Sequence, residues 1–486
     1  MNWGDMGRFR WLSGARVWAV SIALLLAAPS ILFPRPALGQ VARPNIVFIL
    51  TDDQTWNSLR AMPFVEDKLV RHGVQFTKAF VVNSLCCPSR ASILTGQYSH
   101  STGVYTNKPP TGGFPAFHPH EGSTIATWLH RVGYRTGLVG KYLNYYGKAG
   151  RSGYVPPGWD RWVAFAENNG LYYDYHLSMD GQIRHYGASP ADYSTDVLWR
   201  YAVNFIRHTT RRPFFLYFAP FAPHGPSTPA PRDAGRFSRL APYRPPNFNE
   251  RDVSDKPRWV RALPRLSSSR IARIDKARRK AYASLLAVDH AVAGILGALR
   301  DTGRLHNTMI VFTSDNGFAF GEHRWFYKMS PYEESIRVPL VIRYDPLTWG
   351  GRKDRHLALN IDVAPTFAAL AGAQPSTPVD GRSLLPILRR RGQLWRHQFL
   401  IEHKVTQLDQ PYVPAYCAVR SAKYLYSVYK YETEPRYNSE LYDLVGDPYE
   451  LVNRVKSPRY ASVVAAMKAR LKALCNPPPP GFTLPF

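Results

Sequence analysis

The stretch NIVFILTDD, residues 45–53, decides the fold: a short apolar run ends without warning in a threonine and two aspartates. An apolar run this short and unbroken is what a strand buried on both faces requires. The same kind of segment returns as TGLVGKY (136–142), FFLYFAP (214–220), TMIVFTSD (308–315) and VPLVIRY (338–344). Between these runs the spacing turns helical, in STIATWLHRVG (123–133), STDVLWRYAVNFIRH (194–208) and RKAYASLLAVDHAVAGILGALRDTG (279–303). In the last of these, Leu285, Val288, Val292, Ile295, Leu296 and Leu299 share one face, and Gly303 supplies a stop. Such alternation predicts an α/β chain with a mostly parallel sheet flanked by helices on both faces. Ligands are then expected beyond the carboxyl ends of the strands.

Residues 376–486 read differently. YCAVRSAKYLYSVYKYE and SELYDLVGDPYE alternate as strands, and YASVVAAMKARLKALC is helical. The expectation is a small C-terminal antiparallel α+β subdomain behind a catalytic domain of residues 40–375. Residues 1–39 have a basic start, an apolar run from Val17 to Phe33 and a small-residue site at Ala37-Leu38-Gly39. This is a signal-peptide pattern, so the chain is expected to be secreted or periplasmic, with cleavage near Gly39. No second apolar stretch is long enough to span a bilayer, so no stable membrane insertion is expected. There is no Asn-x-Ser/Thr sequon, which leans towards a bacterial exported enzyme.

The formal charge is +27, and removing the four arginines and one aspartate of residues 1–39 leaves +24. That excess favours polyanionic partners, though charge alone does not choose among nucleic acid, anionic lipid and sulfated glycan. Residues 231–280 concentrate it, with 15 Lys/Arg against 5 Asp/Glu. This stretch reads either as a solvated surface insertion or as a rail for an acidic polymer. Four cysteines in 486 residues are too few for a disulfide scaffold.

Paired acids at one strand end are often only a turn or a helix cap. Here a second end repeats the pattern: Asp52 and Asp53 follow one strand, Asp315 and Asn316 another. Three carboxylates and an amide are hard oxygen ligands, and calcium takes about 6–8 of them. The cysteines offer no CxxC pair for a softer metal.

NSLCCPSRASILTG (83–96) places two adjacent cysteines in a loop before a helical segment. The run Cys86-Cys87-Pro88-Ser89-Arg90 with its Leu-Thr-Gly tail resembles the sulfatase signature C-x-P-S-R. The resemblance implies that Cys86 is oxidised to formylglycine by a formylglycine-generating enzyme, with Cys87 in the variable position. A thiol attacking sulfate would be trapped as a covalent ester. An aldehyde hydrate instead attacks with one hydroxyl and expels sulfate when the other loses its proton.

Carried over residue by residue, the resemblance makes Asp52, Asp53, Cys86, Asp315 and Asn316 the calcium ligands. Arg90 holds the formylglycine loop, Lys141 and Lys328 grip sulfate, and His224 donates to the leaving oxygen. His323 supports the site from behind. The implied fold is the alkaline-phosphatase-like core. CCPSRASILTG, GKYLNYYG, VPPGWDRWVA, YYDYHLSMDG and YSTDVL look most like N-acetylglucosamine-6-sulfatases and extracellular glucosamine endosulfatases.

Two features depart from that likeness. Leu143 stands where many sulfatases carry a histidine, and GEHRWFYKMSPYEESIRVPL follows the general sulfatase form. The expected substrate is a sulfated amino sugar of a glycosaminoglycan-like glycan and not nucleic acid. An arylsulfatase on small esters and a phosphonate or phosphodiester hydrolase are the rivals, and a catalytically silent glycan binder is a third. With Cys86 oxidised, the odd thiol count leads to an expected Cys87–Cys417 disulfide and a free Cys475.

Overall fold

The computed structural model describes residues 43–486 apart from 148–152, 167–170, 349, 391, 406–411 and 432–435. The expected signal segment, 1–39, lies outside them. NIVFILT is the strand β1 (Asn45–Thr51), buried along its whole length at the centre of a ten-stranded sheet. The other strands of that sheet are β2 (Val74–Phe76), β3 (Arg135–Gly140), β4 (Arg161–Ala166), β5 (Tyr175–Met179) and β6 (Gln182–Tyr186). They are joined by β7 (Phe214–Ala219), β8 (Thr308–Ser314), β9 (Leu340–Arg343) and β10 (Arg352–Asp354), in the order β10-β2-β9-β8-β1-β7-β3-β4-β5-β6.

The five central strands, β8 to β4, run parallel. Antiparallel pairings flank them, β9 against β8 and β5 against β4. VPLVIRY thus supplies a strand that runs opposite to its neighbour β8.

Alternation along β1 sorts its side chains by period two. Ile46, Phe48 and Leu50 join one core, with the helices α1 (Cys86–Thr95), α2 (Ile125–Arg131) and α5 (Val363–Ala371). Val47 and Ile49 join the other, with α3 (Ser194–Arg207) and α4 (Ser268–Asp301). Full burial of each such side chain contributes about 1.5–3 kcal/mol over leaving it exposed, which is why the run tolerates no polar break. Among the described residues α4 alone is long and apolar enough to cross a membrane, but 72% of that window is packed inside the protein. It is a core helix. It also begins well before the expected residue 279, so residues 268–280 of the basic stretch are helical and not irregular insertion.

Four antiparallel strands, β11 (Gln398–His403), β12 (Tyr416–Ser421), β13 (Tyr424–Lys430) and β14 (Tyr437–Asp443), form the C-terminal sheet. One face, with Phe399, Tyr416 and Tyr429, is continuous with the α1-side core. The other, with Leu400, Cys417 and Val419, is covered by α6 (Ala461–Leu474). The fold is therefore the alkaline-phosphatase-like α/β arrangement with a small antiparallel α+β appendage. The expected Cys87–Cys417 disulfide is wrong: Cys417 is bonded to Cys475, and Cys86 and Cys87 are free and buried. Period two explains the error, because Cys417 points to the helix side of its sheet while Cys87 lies in the core on the other side.

Candidate active site

The β1–β8 register pairs Thr51 with Ser314, which sets Asp52 and Asp53 beside Asp315 and Asn316. Asp53 adopts a left-handed φ of 64°, a conformation that aspartate tolerates better than most residues. Its N–H donates to Asp315 Oδ1 at 3.2 Å, and Asn316 Nδ2 donates to Asp53 Oδ1 at 2.6 Å. Lys141 follows β3 next door. There Gly140 has φ 124°, and a Cβ on it would lie 2.0 Å from the Ala219 carbonyl, so only glycine lets the strand end here. His224 follows β7 in the same row of carboxyl ends.

Cys86 and Cys87 occupy the first turn of α1, and not a loop ahead of it. One of that turn's orphan N–H donors, on Cys87, finds Asn107 Oδ1 at 2.9 Å. Asn107 is a supporting residue that sequence reading missed, because nothing local marks a partner twenty positions away. The turn points Cys86 into the acid cluster, with Sγ 3.7 Å from Asp52 Oδ1 and 2.7 Å from Lys328 Nζ. Lys141 is ion-paired with Asp52, and Lys328 with Asp53. Arg90 is fully buried and donates from Nε to Asp315 Oδ2 at 2.7 Å, from Nη2 to Asp52 Oδ2 at 3.3 Å and from Nη1 to the Lys141 carbonyl at 2.9 Å.

His224 is the solvent-facing member, with its side chain 31% exposed and Nε2 3.6 Å from Asp53 Oδ2. Its Nδ1 pairs with the Gly225 carbonyl at 2.8 Å, which fixes the proton there and leaves Nε2 facing the acids. The structure therefore brings all nine expected catalytic and metal-binding residues to one place. His323 is elsewhere, buried against Glu250, and Leu143 is packed in the apolar core.

Burial opposes ionisation of Asp52, yet Lys141, His224, Arg90 and Lys328 together hold its carboxyl far below the usual range. Burial and the charge of Asp52 push Asp315 the other way. Burial pushes the Cys86 thiol up to about 12 despite both lysines. An unmodified Cys86 is thus a protonated, poor nucleophile at neutral pH.

Ligand atoms of Asp52, Asp53, Cys86 and His224 lie within 4.8 Å of one another. Asn316 Oδ1 is buried without a hydrogen-bond partner beside them. An orphaned amide oxygen among carboxylates fits a hard divalent cation.

The Sulfatase family profile matches residues 44–373, well over half of the chain. The chain belongs to the sulfatase family. A second profile, described as N-sulphoglucosamine sulphohydrolase, C-terminal, matches residues 321–476 of this sulfatase. Human N-acetylglucosamine-6-sulfatase is 35% identical over 453 residues, covering 85% of this chain and 81% of that one. The Drosophila melanogaster extracellular sulfatase SULF-1 homolog is also 35% identical, over 74% of this chain but only 33% of its own length.

Among solved structures, BT4656 in complex with its substrate D-glucosamine-2-N,6-O-disulfate superposes with a TM-score of 0.77. It is 27% identical and covers 89% of this chain and 98% of that one. The phosphonate monoester hydrolase of Agrobacterium radiobacter shares the fold at TM-score 0.70 and 22% identity, over 89% of this chain and 96% of that one. Fold alone therefore does not separate sulfate from phosphonate esters.

Proposed function

We propose that this sulfatase is exported and hydrolyses the sulfate ester of an amino sugar, N-acetylglucosamine-6-sulfate or a close relative within a glycosaminoglycan-type glycan. Residue 86 acts after oxidation of Cys86 to formylglycine by a generating enzyme. Calcium is held by Asp52, Asp53, residue 86, Asp315 and Asn316. The observation that carries the reading is the convergence of Cys86, the acids of two strand ends and two buried lysines at one point. The names of the relatives supply the amino sugar.

When bound, the cation and the aldehyde hydrate supply an ionised hydroxyl nucleophile near neutrality. The rest is done by the chain's own side chains. Lys141 and Lys328 each carry hydrogens beyond those their aspartates accept, and these donate to the nonbridging sulfate oxygens. Arg90 is fully committed to Asp315, Asp52 and the Lys141 carbonyl, so it orients the acids and does not touch substrate. His224, at the solvent side with Nε2 facing inward, is placed to protonate the leaving sugar oxygen when both of its ring nitrogens carry hydrogens. With Leu143 in the apolar core, the same imidazole serves as the base that takes a proton back. Burial of Cys86, Lys141 and Lys328 keeps bulk water from competing with their contacts.

The test joins mass spectrometry of the peptide containing residue 86 with parallel assays on N-acetylglucosamine-6-sulfate, nitrophenyl sulfate and a phosphonate monoester. The expected result is an aldehyde at residue 86, turnover fastest on the sugar sulfate, and none by Cys86→Ala. Active protein with an intact thiol at residue 86 overturns the nucleophile. Preference for the phosphonate overturns the substrate class.

A further inference from the structure

A second group of ligand atoms converges away from the catalytic cluster. One atom each from His323, Glu334 and Glu450 lies within 4.8 Å of the others. The three residues come from the loop that carries Lys328, the short helix Glu333–Ile336 and the loop after β14. The surroundings are crowded with acids, and the nearby bases are already committed. Arg420 and Arg337 pair with Glu333, and Lys256 pairs with Glu250. Glu440 accepts the hydroxyls of Tyr332, Tyr429 and Tyr442. Among the described residues Glu322, Glu334 and Glu450 make no direct ion pair with a lysine or arginine, and Arg278 and Arg337 stand further off, along the cleft beside Glu322 and Glu334.

Three oxygens are orphaned here. Glu450 Oε1, Glu334 Oε2 and Asn247 Oδ1 are all buried without a hydrogen bond, and Glu450 and Asn247 are 0% exposed. Asn247 Nδ2 sits 3.2 Å from His323 Nε2 and 3.0 Å from Glu334 Oε1, so a half-turn of its amide brings the orphaned oxygen onto the cluster. His323 Nδ1 is 2.7 Å from Glu250 Oε2. The proton therefore rests on Nδ1 and the Nε2 lone pair is directed at the cluster, the carboxylate–imidazole arrangement that orients metal-bound histidines. Burial and mutual repulsion push the carboxyls of Glu450 and Glu322 up, the latter to about 8. A cleft of about 60 Å³ lined by Trp56, Tyr243, Arg278, Glu322, Glu334 and Arg337 reaches the group at Glu334.

We propose that His323, Glu334 and Glu450, with Asn247, form a second cation site that takes a first-row divalent ion of the zinc–manganese class. One imidazole among carboxylate and amide oxygens suits such ions better than calcium, whose ligands are nearly all oxygen. The site clamps three distant segments together behind Lys328. Its role is structural and does not depend on the state of Cys86.

The test uses the full chain, stripped by chelator and held in saturating calcium. Zn²⁺ and Mn²⁺ are titrated separately by calorimetry, with metal content and Tm measured in parallel. Wild type and Asp53→Asn each bind one equivalent of Zn²⁺ or Mn²⁺, and Tm rises with the logarithm of metal concentration. Glu334→Gln/Glu450→Gln binds none at this place, and its Tm does not respond. His323→Gln, the milder change, weakens binding at least tenfold and keeps the reading accessible if the double variant does not fold. Equal binding by wild type and the glutamate variant overturns the proposal, as does loss of the bound equivalent in Asp53→Asn. A wild-type protein that binds neither ion also overturns it, and the carboxyls then share protons instead.

Discussion

Arg90→Met probes the electrostatics of the site most directly, because methionine keeps much of the apolar stem and removes only the guanidinium. Arg90 is wholly buried between Asp315 and Asp52, and no water is available to replace its donors. Asp315 is already pushed up by burial and by Asp52, so removing its closest cation strands a carboxylate in the interior. Breaking a buried ion pair from one side costs about 3–5 kcal/mol. The Lys141 carbonyl also loses its Arg90 donor, which places the expected loss towards the upper end of that range.

Urea unfolding followed by tryptophan fluorescence, at neutral pH in excess chelator so that no bound cation compensates Asp315, measures the loss. With a slope of about 3 kcal/mol per M, the midpoint falls by about 1.3–1.7 M. Adding Asp315→Asn removes the stranded charge and recovers part of the loss, with a coupling of about 1–3 kcal/mol. A midpoint for Arg90→Met within about 0.2 M of wild type would refute the reasoning. Simple additivity of the two changes would do the same.

Cys417→Ser opens a loop of 58 residues and lowers stability by about 2–4 kcal/mol. Thiol titration of the denatured, unreduced protein finds two free groups if Cys86 is unconverted and one if it is oxidised. Burial holds the His403 imidazole down to about 4, so the folded chain stays neutral there while the unfolded chain takes up a proton. Stability is therefore lost as pH falls from about 6.5 to about 4, by about 3 kcal/mol, and His403→Leu abolishes that dependence in acid denaturation curves. If residues 231–280 guide a polyanion, activity on long glycans falls with salt more steeply than activity on a disaccharide, and equal slopes dispose of the idea.

Four of the five central strands, β1, β3, β7 and β8, were legible because burial on both faces leaves only apolar residues until the chain reaches the sheet's end, whereas β4 was not read as a strand. Nor was the edge legible. β5 and β6 are joined through Asp180-Gly181, both at positive φ, a hairpin signal present in HLSMDGQIRHY but set among residues that are largely exposed. The first turns of α4, SSRIARIDKARRK, carry too few apolar residues to show a helical period. Ser267 caps them, and Arg244 ties them down through Asp275. Within the site, residues at strand ends could be read because topology places such ends together. The Cys417–Cys475 pairing could not, since counting thiols says nothing about which side of a sheet each one faces.

The loop that carries Lys328 leans on parts of the chain synthesised much later. Tyr416 donates to the Met329 carbonyl at 2.9 Å, Tyr332 donates to Glu440 at 3.1 Å, and the Glu333 N–H donates to Glu450 at 3.2 Å. During translation the loop that carries Lys328 therefore lacks these three partners until the last strands emerge. In the folded protein residue 86 is almost fully buried, whereas a chain that still lacks residues 416–450 has none of these three supports for the loop. Any catalyst that must reach this side chain has that interval in which to act, and protein renatured from denaturant without such a catalyst would close over an unaltered thiol.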